Sequence, residues 1–268
     1  MLSVERQALI AALVRETQLV KVADLMARFD VSDMTVRRDL DALEKQGVLR
    51  KVYGGAVLAA PAAAGPDQDV NLDVRAGAFT QLKMEIARRA ADLIAPDDVI
   101  ILDAGTTTLA LARMLPRRDD LVIVTNSIPI AHELAGRASS LLLAGGIVRS
   151  STHSAVGPKT KEFLSDLRAS KLFLGASSLS LAQGLMNSNL YESEIKQTMM
   201  AASEQVIVLA DSSKFESKSY HVFAQWKDVD ILVTDHLLPD GVRRGLSERG
   251  VQVLTGAAPG DPVEWTTN

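Results

Sequence analysis

From residue 99 onward the chain repeatedly places short runs of Ile, Val and Leu, unbroken by polar residues, between stretches with helical spacing. The runs are VIILD (99–103), LVIVT (121–125), SLLLAGG (140–146), KLFLGA (171–176), QVIVLAD (205–211), DILVTD (230–235) and VQVL (251–254). A strand solvated on one face alternates apolar and polar residues, whereas a strand covered on both faces does not. Amphipathic stretches such as LKMEIARRAADLI, 107–115, 128–135 and 190–203 supply helices to cover it. This pattern predicts an α/β domain over 71–268, with a mostly parallel sheet between two helical layers.

The first 57 residues are patterned differently. Ile10, Leu13 and Val14 share a face of one helix; Val22, Leu25, Met26 and Phe29 form the stripe of a second. Asp30-Val31-Ser32 interrupts this stripe. Ser32 is an N-cap for a third helix, Asp33 suits its positive first turn, Val36, Leu40 and Leu43 face inward, and Gly47 ends it. Thr35, Arg37, Arg38 and Asp41 are left on other faces, with Arg37 and Asp41 spaced for an i,i+4 pair. Two short helices joined by about three residues, with Thr and Arg near the start of the second, predict a helix-turn-helix that enters the major groove of DNA. VLRKVYGGAV follows as a β-hairpin, a wing whose Arg50 and Lys51 are placed to meet phosphates. A three-helix bundle with a solvated charged face is the plainer alternative. Residues 58–70, LAAPAAAGPDQDV, carry Pro61 and Pro66 without apolar period and predict a linker.

Charge decides little on its own. The whole chain is −4, and residues 1–58 hold nine basic and eight acidic side chains, so DNA binding depends on where charges sit. The absence of cysteine excludes disulfides, thiolate metal sites and cysteine nucleophiles, and suits a reducing cytoplasm. No apolar run is long enough to span a membrane, and no signal-peptide pattern opens the chain. No metal-ligand spacing and no cofactor motif is present; neither Gly-Lys-Ser/Thr nor Gly-x-Gly-x-x-Gly follows a strand.

In doubly covered parallel sheets ligands bind at the C-terminal strand ends. These carry Asp103 with Gly105, Thr106, Thr107 and Thr108; Asn126; Gly145 and Gly146 with Arg149 shortly after; and Lys214 in Asp211-Ser212-Ser213-Lys214. Each has an ordinary role as a cap, a turn or a solvated lysine. Their convergence predicts a pocket for a small anion, with backbone N–H groups and a helix N-terminus facing an oxyanion.

The stretch VADLMARFDVSDMTVRRDLDALEKQGVLRKVYGGA resembles the N-terminal signature of the DeoR family of bacterial repressors of sugar metabolism. LDAGTTTLALARML, VTNSIPIAHEL, LAGG with Arg149, AVGP, KLFLGA and ADSSKF resemble that family's effector domain, which is similar in fold to ribose-5-phosphate isomerase. The resemblance implies a winged helix-turn-helix head that binds operator DNA through Ser32, Thr35, Arg37, Arg38, Arg50 and Lys51. It implies a phosphorylated sugar effector held by Asp103, Gly105, Thr106, Thr107, Thr108, Asn126, Gly145, Gly146, Arg149 and Lys214, whose binding releases the DNA. Weak binding by a single head implies a homodimer or homotetramer. One segment departs from the family pattern: Ser177-Ser178 and Met186-Asn187 replace its usual residues, while Glu192 and Glu194 keep an acidic pair. An active sugar-phosphate isomerase is the rival reading, with Asp103, Glu192, Glu194 and Lys214 as acids and bases. His132, His153, His221 and His236 are scattered and form no triad. Likeness to an enzyme fold does not confer activity, so a non-enzymatic switch is preferred.

Overall fold

The computed structural model describes residues 2–17, 19–52, 55–58 and 80–256, which fall in two compact units divided near residue 81. The linker expected over 58–70 lies outside the described residues, except Leu58, which ends a strand.

The N-terminal unit comprises α1 (Ser3–Thr17), β1 (Leu19–Lys21), α2 (Val22–Phe29), α3 (Asp33–Lys45), β2 (Leu49–Val52) and β3 (Gly55–Leu58). Ile10, Val14, Leu25, Val36, Leu40, Leu43 and Leu49 form its core, in accord with the three stripes. Ser32 caps α3 by accepting from the Thr35 N–H. At the other end Gly47, at φ +70°, lets the Val48 N–H reach the Leu43 carbonyl at 3.0 Å and the Gly47 N–H reach Glu44 at 2.9 Å, satisfying the last carbonyls of α3. Inside the unit Arg6 and Gln7 of α1 both donate to the buried Asp39 of α3, so the third helix is fixed to the first by charge as well as by packing.

Two local expectations are corrected. β1 is three residues long, too short to display a period, yet it pairs with β3 and makes the wing a three-stranded sheet of order β1-β3-β2. By residue type, Gly55 of the Gly-Gly in VLRKVYGGAV reads as half of the hairpin turn. It lies inside β3, where an added Cβ would meet the Val20 carbonyl oxygen at 2.2 Å, so its missing side chain is what admits β1.

The C-terminal unit is built on seven strands: β4 (Val99–Leu102), β5 (Arg118–Thr125), β6 (Ala138–Leu143), β9 (Ala169–Leu174), β12 (Ser203–Leu209), β14 (Ile231–Thr234) and β15 (Gln252–Thr255). Their order is β15-β14-β12-β9-β4-β5-β6 and every pairing is parallel. Ile100, Leu102, Ile123, Phe173, Ile207 and Leu209 pack on one face with α4 (Thr80–Ala91), α5 (Thr106–Met114) and α6 (Ile128–Leu134). Ile101, Val124, Leu172, Leu174 and Val208 pack on the other with α7 (Pro158–Ser165), α8 (Leu190–Ala201) and α9 (Asp240–Ser247). Successive side chains enter opposite cores, which explains why these strands contain no polar alternation. Burying a side chain such as Phe173 stabilises the unit by about 2–3 kcal/mol.

Two small antiparallel sheets escape the sequence pattern: β7 (Ile147–Arg149) with β8 (Ser154–Val156), and β10 (Ser178–Ser180) with β11 (Gly184–Asn187) and β13 (His221–Ala224). Their strands of three or four residues are shorter than the window in which alternation can be recognised.

Candidate functional site

β4 comes first in the chain but sits inside the sheet. β5 and β6 are added on one side of it, and β9, β12, β14 and β15 on the other. The connections therefore diverge at the C-terminal ends of β4 and β9, which is where a parallel sheet opens a crevice.

Asp103 follows β4 at this point. Its N–H donates to the Phe173 carbonyl at 3.0 Å, and its carboxylate accepts from the Gly175 N–H at 2.9 Å, so it closes the β4–β9 seam. Lys196 of α8 forms an ion pair with Asp103 and donates to the Gly175 carbonyl at 2.9 Å. Both side chains are almost fully buried, at 3% and 5% exposure. Burial pushes the Asp103 carboxyl above the usual carboxylate range; Lys196 and the Gly175 N–H pull it down, and the nearby Glu192 charge adds to the rise.

Glu192, one turn before Lys196, anchors a second group. It accepts from Thr152 Oγ1 at 2.7 Å, from Arg149 Nε at 3.2 Å and from Asn187 Nδ2 at 3.0 Å. Asn187 also accepts from Ser177 Oγ, and Thr152 bonds with Ser154 at 2.9 Å. Burial opposes the Glu192 charge, but Lys196, Thr152, Asn187 and Arg149 outweigh it and hold the carboxyl below its ordinary value. α8 therefore presents a carboxylate and an ammonium four residues apart, linking Asp103 to the β7–β8 and β10–β11 hairpins. Glu194, the other half of the acidic pair, is exposed and stands apart.

The remaining strand-end residues are placed as follows. Thr106, Thr107 and Thr108 form the buried first turn of α5, where main-chain N–H groups have no partner inside the helix. Thr108 is fully buried and its hydroxyl donates back to the Gly105 carbonyl at 2.9 Å. Asn126 follows β5; its amide donates to the Ala155 carbonyl at 2.9 Å, while its Oδ1 is buried with no hydrogen-bond donor. Asp211 Oδ2, after β12, and Thr234 Oγ1, at the end of β14, are likewise buried without partners among the described residues. Gly145 and Gly146 turn from β6 to β7. Gly146 has φ +155°, and a Cβ there would meet Thr160 Oγ1 at 2.1 Å and the Val156 carbonyl at 2.7 Å, so packing already requires this glycine. Lys214 lies in the 3₁₀ turn Ser212–Phe215 after β12, on the far side of β9 from Asp103. Among the described residues no group of three or more His, Asp or Glu can hold a metal ion, and no helix is long and apolar enough to cross a membrane.

In the N-terminal unit, Ser32 and Thr35 hydrogen bond to each other at 3.0 Å at the N-terminus of α3, and Ser32 is exposed. Arg38 is exposed. Arg37 turns back to Asp33, at 2.5 Å, instead of pairing with Asp41. Helical side chains lean toward the N-terminus, and an acid preceding a base by four residues is the favoured orientation. Asp41 pairs instead with Lys51 of β2, whose N–H also donates to Glu44 at 2.7 Å. Arg50 lies in β2, and its side chain falls outside the described residues.

Sequence reasoning did not find Lys196, Thr152 or the pairing role of Asn187. One signal was available for Lys196: it lies between Ile195 and Met199 on the buried side of α8, where a lysine needs a partner.

A three-helix head with a β wing, followed by a doubly covered parallel sheet with buried polar side chains gathered at its switch point, defines a winged helix-turn-helix regulator carrying a ligand-sensing domain. Residues 6–62 match the DeoR-like helix-turn-helix domain, and residues 79–236 match the DeoR C terminal sensor domain. The chain belongs to the DeoR family of DNA-binding transcriptional regulators. It is 33% identical over 262 residues to the HTH-type transcriptional regulator GlpR of Haloferax volcanii, covering 96% of this chain and 100% of that one. It is 35% identical over 233 residues to the transcriptional repressor AccR of Agrobacterium fabrum, covering 86% and 89%. Among solved structures, ribose 5-phosphate isomerase from Methanocaldococcus jannaschii aligns over 51% of this chain and 55% of its own, with 17% identity and a TM-score of 0.38.

Proposed function

We propose that this chain represses a carbohydrate-utilisation operon and leaves its operator when a phosphorylated sugar enters the crevice beside Asp103. The observation that carries this reading is the mixture of polar groups at adjacent strand ends. Asn126 Oδ1, at the end of β5 beside the β4 end, is buried and lacks a partner among the described residues, and an oxygen acceptor of this kind is satisfied by a sugar hydroxyl. The first turn of α5 offers main-chain N–H groups, which are satisfied by a phosphate. A polyol phosphate supplies both kinds of group in one molecule.

In this reading Gly105, Thr106, Thr107 and Thr108 cradle the phosphate and Lys214 adds a counter-charge. Asp103, Asn126 and Arg149 meet the sugar, and Gly145 and Gly146 shape the rim. In the head, Thr35, Arg37 and Arg38 face base edges while Ser32, Arg50 and Lys51 meet the backbone. Two or four copies act together in the cytoplasm on repeated half-sites. Curated relatives named as transcriptional regulators support a switch over a catalyst.

A thermal-shift screen of sugar phosphates on the full chain tests the pocket, because a ligand of the folded state raises the melting temperature. Thr107→Val should abolish both the shift and the release of DNA while leaving DNA affinity intact. A normal response in that variant would mean that the cradle lies elsewhere. The buried Asp103–Lys196 pair is also what an isomerase would use as acid and base, so the same sugar phosphates are assayed for turnover. Turnover that disappears in Asp103→Asn would replace the switch with an enzyme.

A further inference from the structure

The exposed charges of α3 and the wing cancel one another by position. Asp33, Arg37 and Asp41 succeed one another every four residues, so they share one face of α3. Asp33 holds Arg37 at 2.5 Å, with both side chains more than half exposed. Asp41 holds Lys51 across from the wing, with Glu44 at 4.0 Å from the same ammonium. The hydrogen bond with Lys51 holds the Asp41 carboxyl below its usual range, and that with Asp41 holds Lys51 above its own. Among the described residues Arg38 is exposed and has no ion-pair partner. Two of the cations best placed for phosphate are therefore already engaged by acids that also repel phosphate.

We propose that Asp33 and Asp41 are specificity residues: they hold Arg37 and Lys51 in intramolecular pairs, so that DNA must offer more than a phosphate to recruit them. The proposal rests on α3 and the wing being the DNA-facing surface. The physical basis is that phosphate contact supplies nearly all of non-specific binding and scales with the net charge brought to the backbone. Because both pairs are exposed, each is weak enough to be exchanged when a matched base sequence adds its own hydrogen bonds. A mismatched duplex offers only phosphate, for which Asp33 and Asp41 are competitors already in place.

The test uses the full chain, with a duplex of random sequence and a duplex selected from a random pool by the wild-type protein. Asp33→Asn and Asp41→Asn are each expected to raise affinity for the random duplex about two- to five-fold, the worth of an exposed pair. Each is also expected to steepen the log–log salt slope by up to about 0.9. The selected duplex should gain less, so the ratio between the two falls. Unchanged affinity for the random duplex overturns the proposal. Weaker binding to both duplexes by Asp41→Asn also overturns it, since Asp41 would then be placing Lys51 on DNA. Arg38→Ala separates the premise from the proposal. If it weakens binding while the aspartate variants change nothing, only the pairing role fails. If it leaves both duplexes unaffected, the assignment of α3 falls and the proposal falls with it.

Discussion

Strand β4 has an Asp–Lys pair at each end, and the two pairs behave in opposite ways. Before the strand, Asp98 pairs with Lys171 and accepts from Ser170 Oγ at 2.8 Å and the Ala95 N–H at 2.8 Å, with the lysine still 17% exposed. Burial opposes the Asp98 charge, but Lys171, Ser170 and Ala95 outweigh it and hold the carboxyl below the ordinary range. After the strand, Asp103 and Lys196 are shut away, and burial wins over the same kind of partner. Both pairs join β4 to an element after the 169–174 strand or in it. Only the second lies at the point where the chain changes direction across the sheet. Burial, more than residue type, separates a fastening from a poised site.

The largest effect that would sharpen this contrast is on stability. Lys196→Ala leaves a buried carboxylate alone and should cost about 3–5 kcal/mol in urea unfolding. Lys171→Ala, nearer to water, should cost about 1 kcal/mol. Equal losses would break the contrast. Restoring neutrality with Asp103→Leu in the Lys196→Met background should recover part of the first loss, because a well-packed apolar pair can replace a buried ionic one.

Titration gives the next test. In carbon-detected NMR the Asp98 carboxyl should titrate below, and the Asp103 carboxyl above, the ordinary aspartate value of about 3.9. If both move the same way, burial does not divide them.

A smaller effect concerns acid stability. A depressed carboxyl adds stability above its unfolded pKa, and that stability is lost as pH falls through the folded value. Asp98→Asn should therefore flatten the fall in unfolding free energy below about pH 4 and change little near neutrality apart from the lost bonds. Glu192→Gln should act with the same sign, because the Glu192 carboxyl is also held low. A variant that stays as acid-sensitive as the parent contradicts the assignment. Smallest of all, Asp33→Asn should change the melting free energy of the head by less than about 1 kcal/mol, since the pair it removes is exposed.

The layered α/β architecture was legible because the interior strands β4, β5, β9, β12 and β14 carry Ile, Val and Leu into the cores on both faces, while the edge strands β6 and β15 are only partly covered. The caps were legible too: Ser32 and Gly47 do what their residue types predict. What stayed hidden depends on long-range approach. Lys196 is 93 residues from its partner, and no local spacing reveals which acid it meets. Gly55 reads as a turn until β1 is seen against it. Arg37 had acids on both sides at equal spacing, and only helix geometry chooses Asp33. The residues proposed for the pocket follow from the strand ends, whereas the hairpins that bond to Glu192 are too short to read.

The position of β4 also sets an order in time. Its neighbour β9 is made about seventy residues later, and the lysine that faces Asp103 is made 93 residues later. The head closes over far shorter spans; its buried Arg6–Asp39 pair is separated by only 33 residues. At the ordinary pace of translation, the gap between completing the head and synthesising Lys196 is on the order of ten seconds. Chain closure over short loops costs less and happens sooner than parallel pairing across long ones. A chain still on the ribosome therefore has every residue of the head's core while the partner of Asp103 has yet to be made.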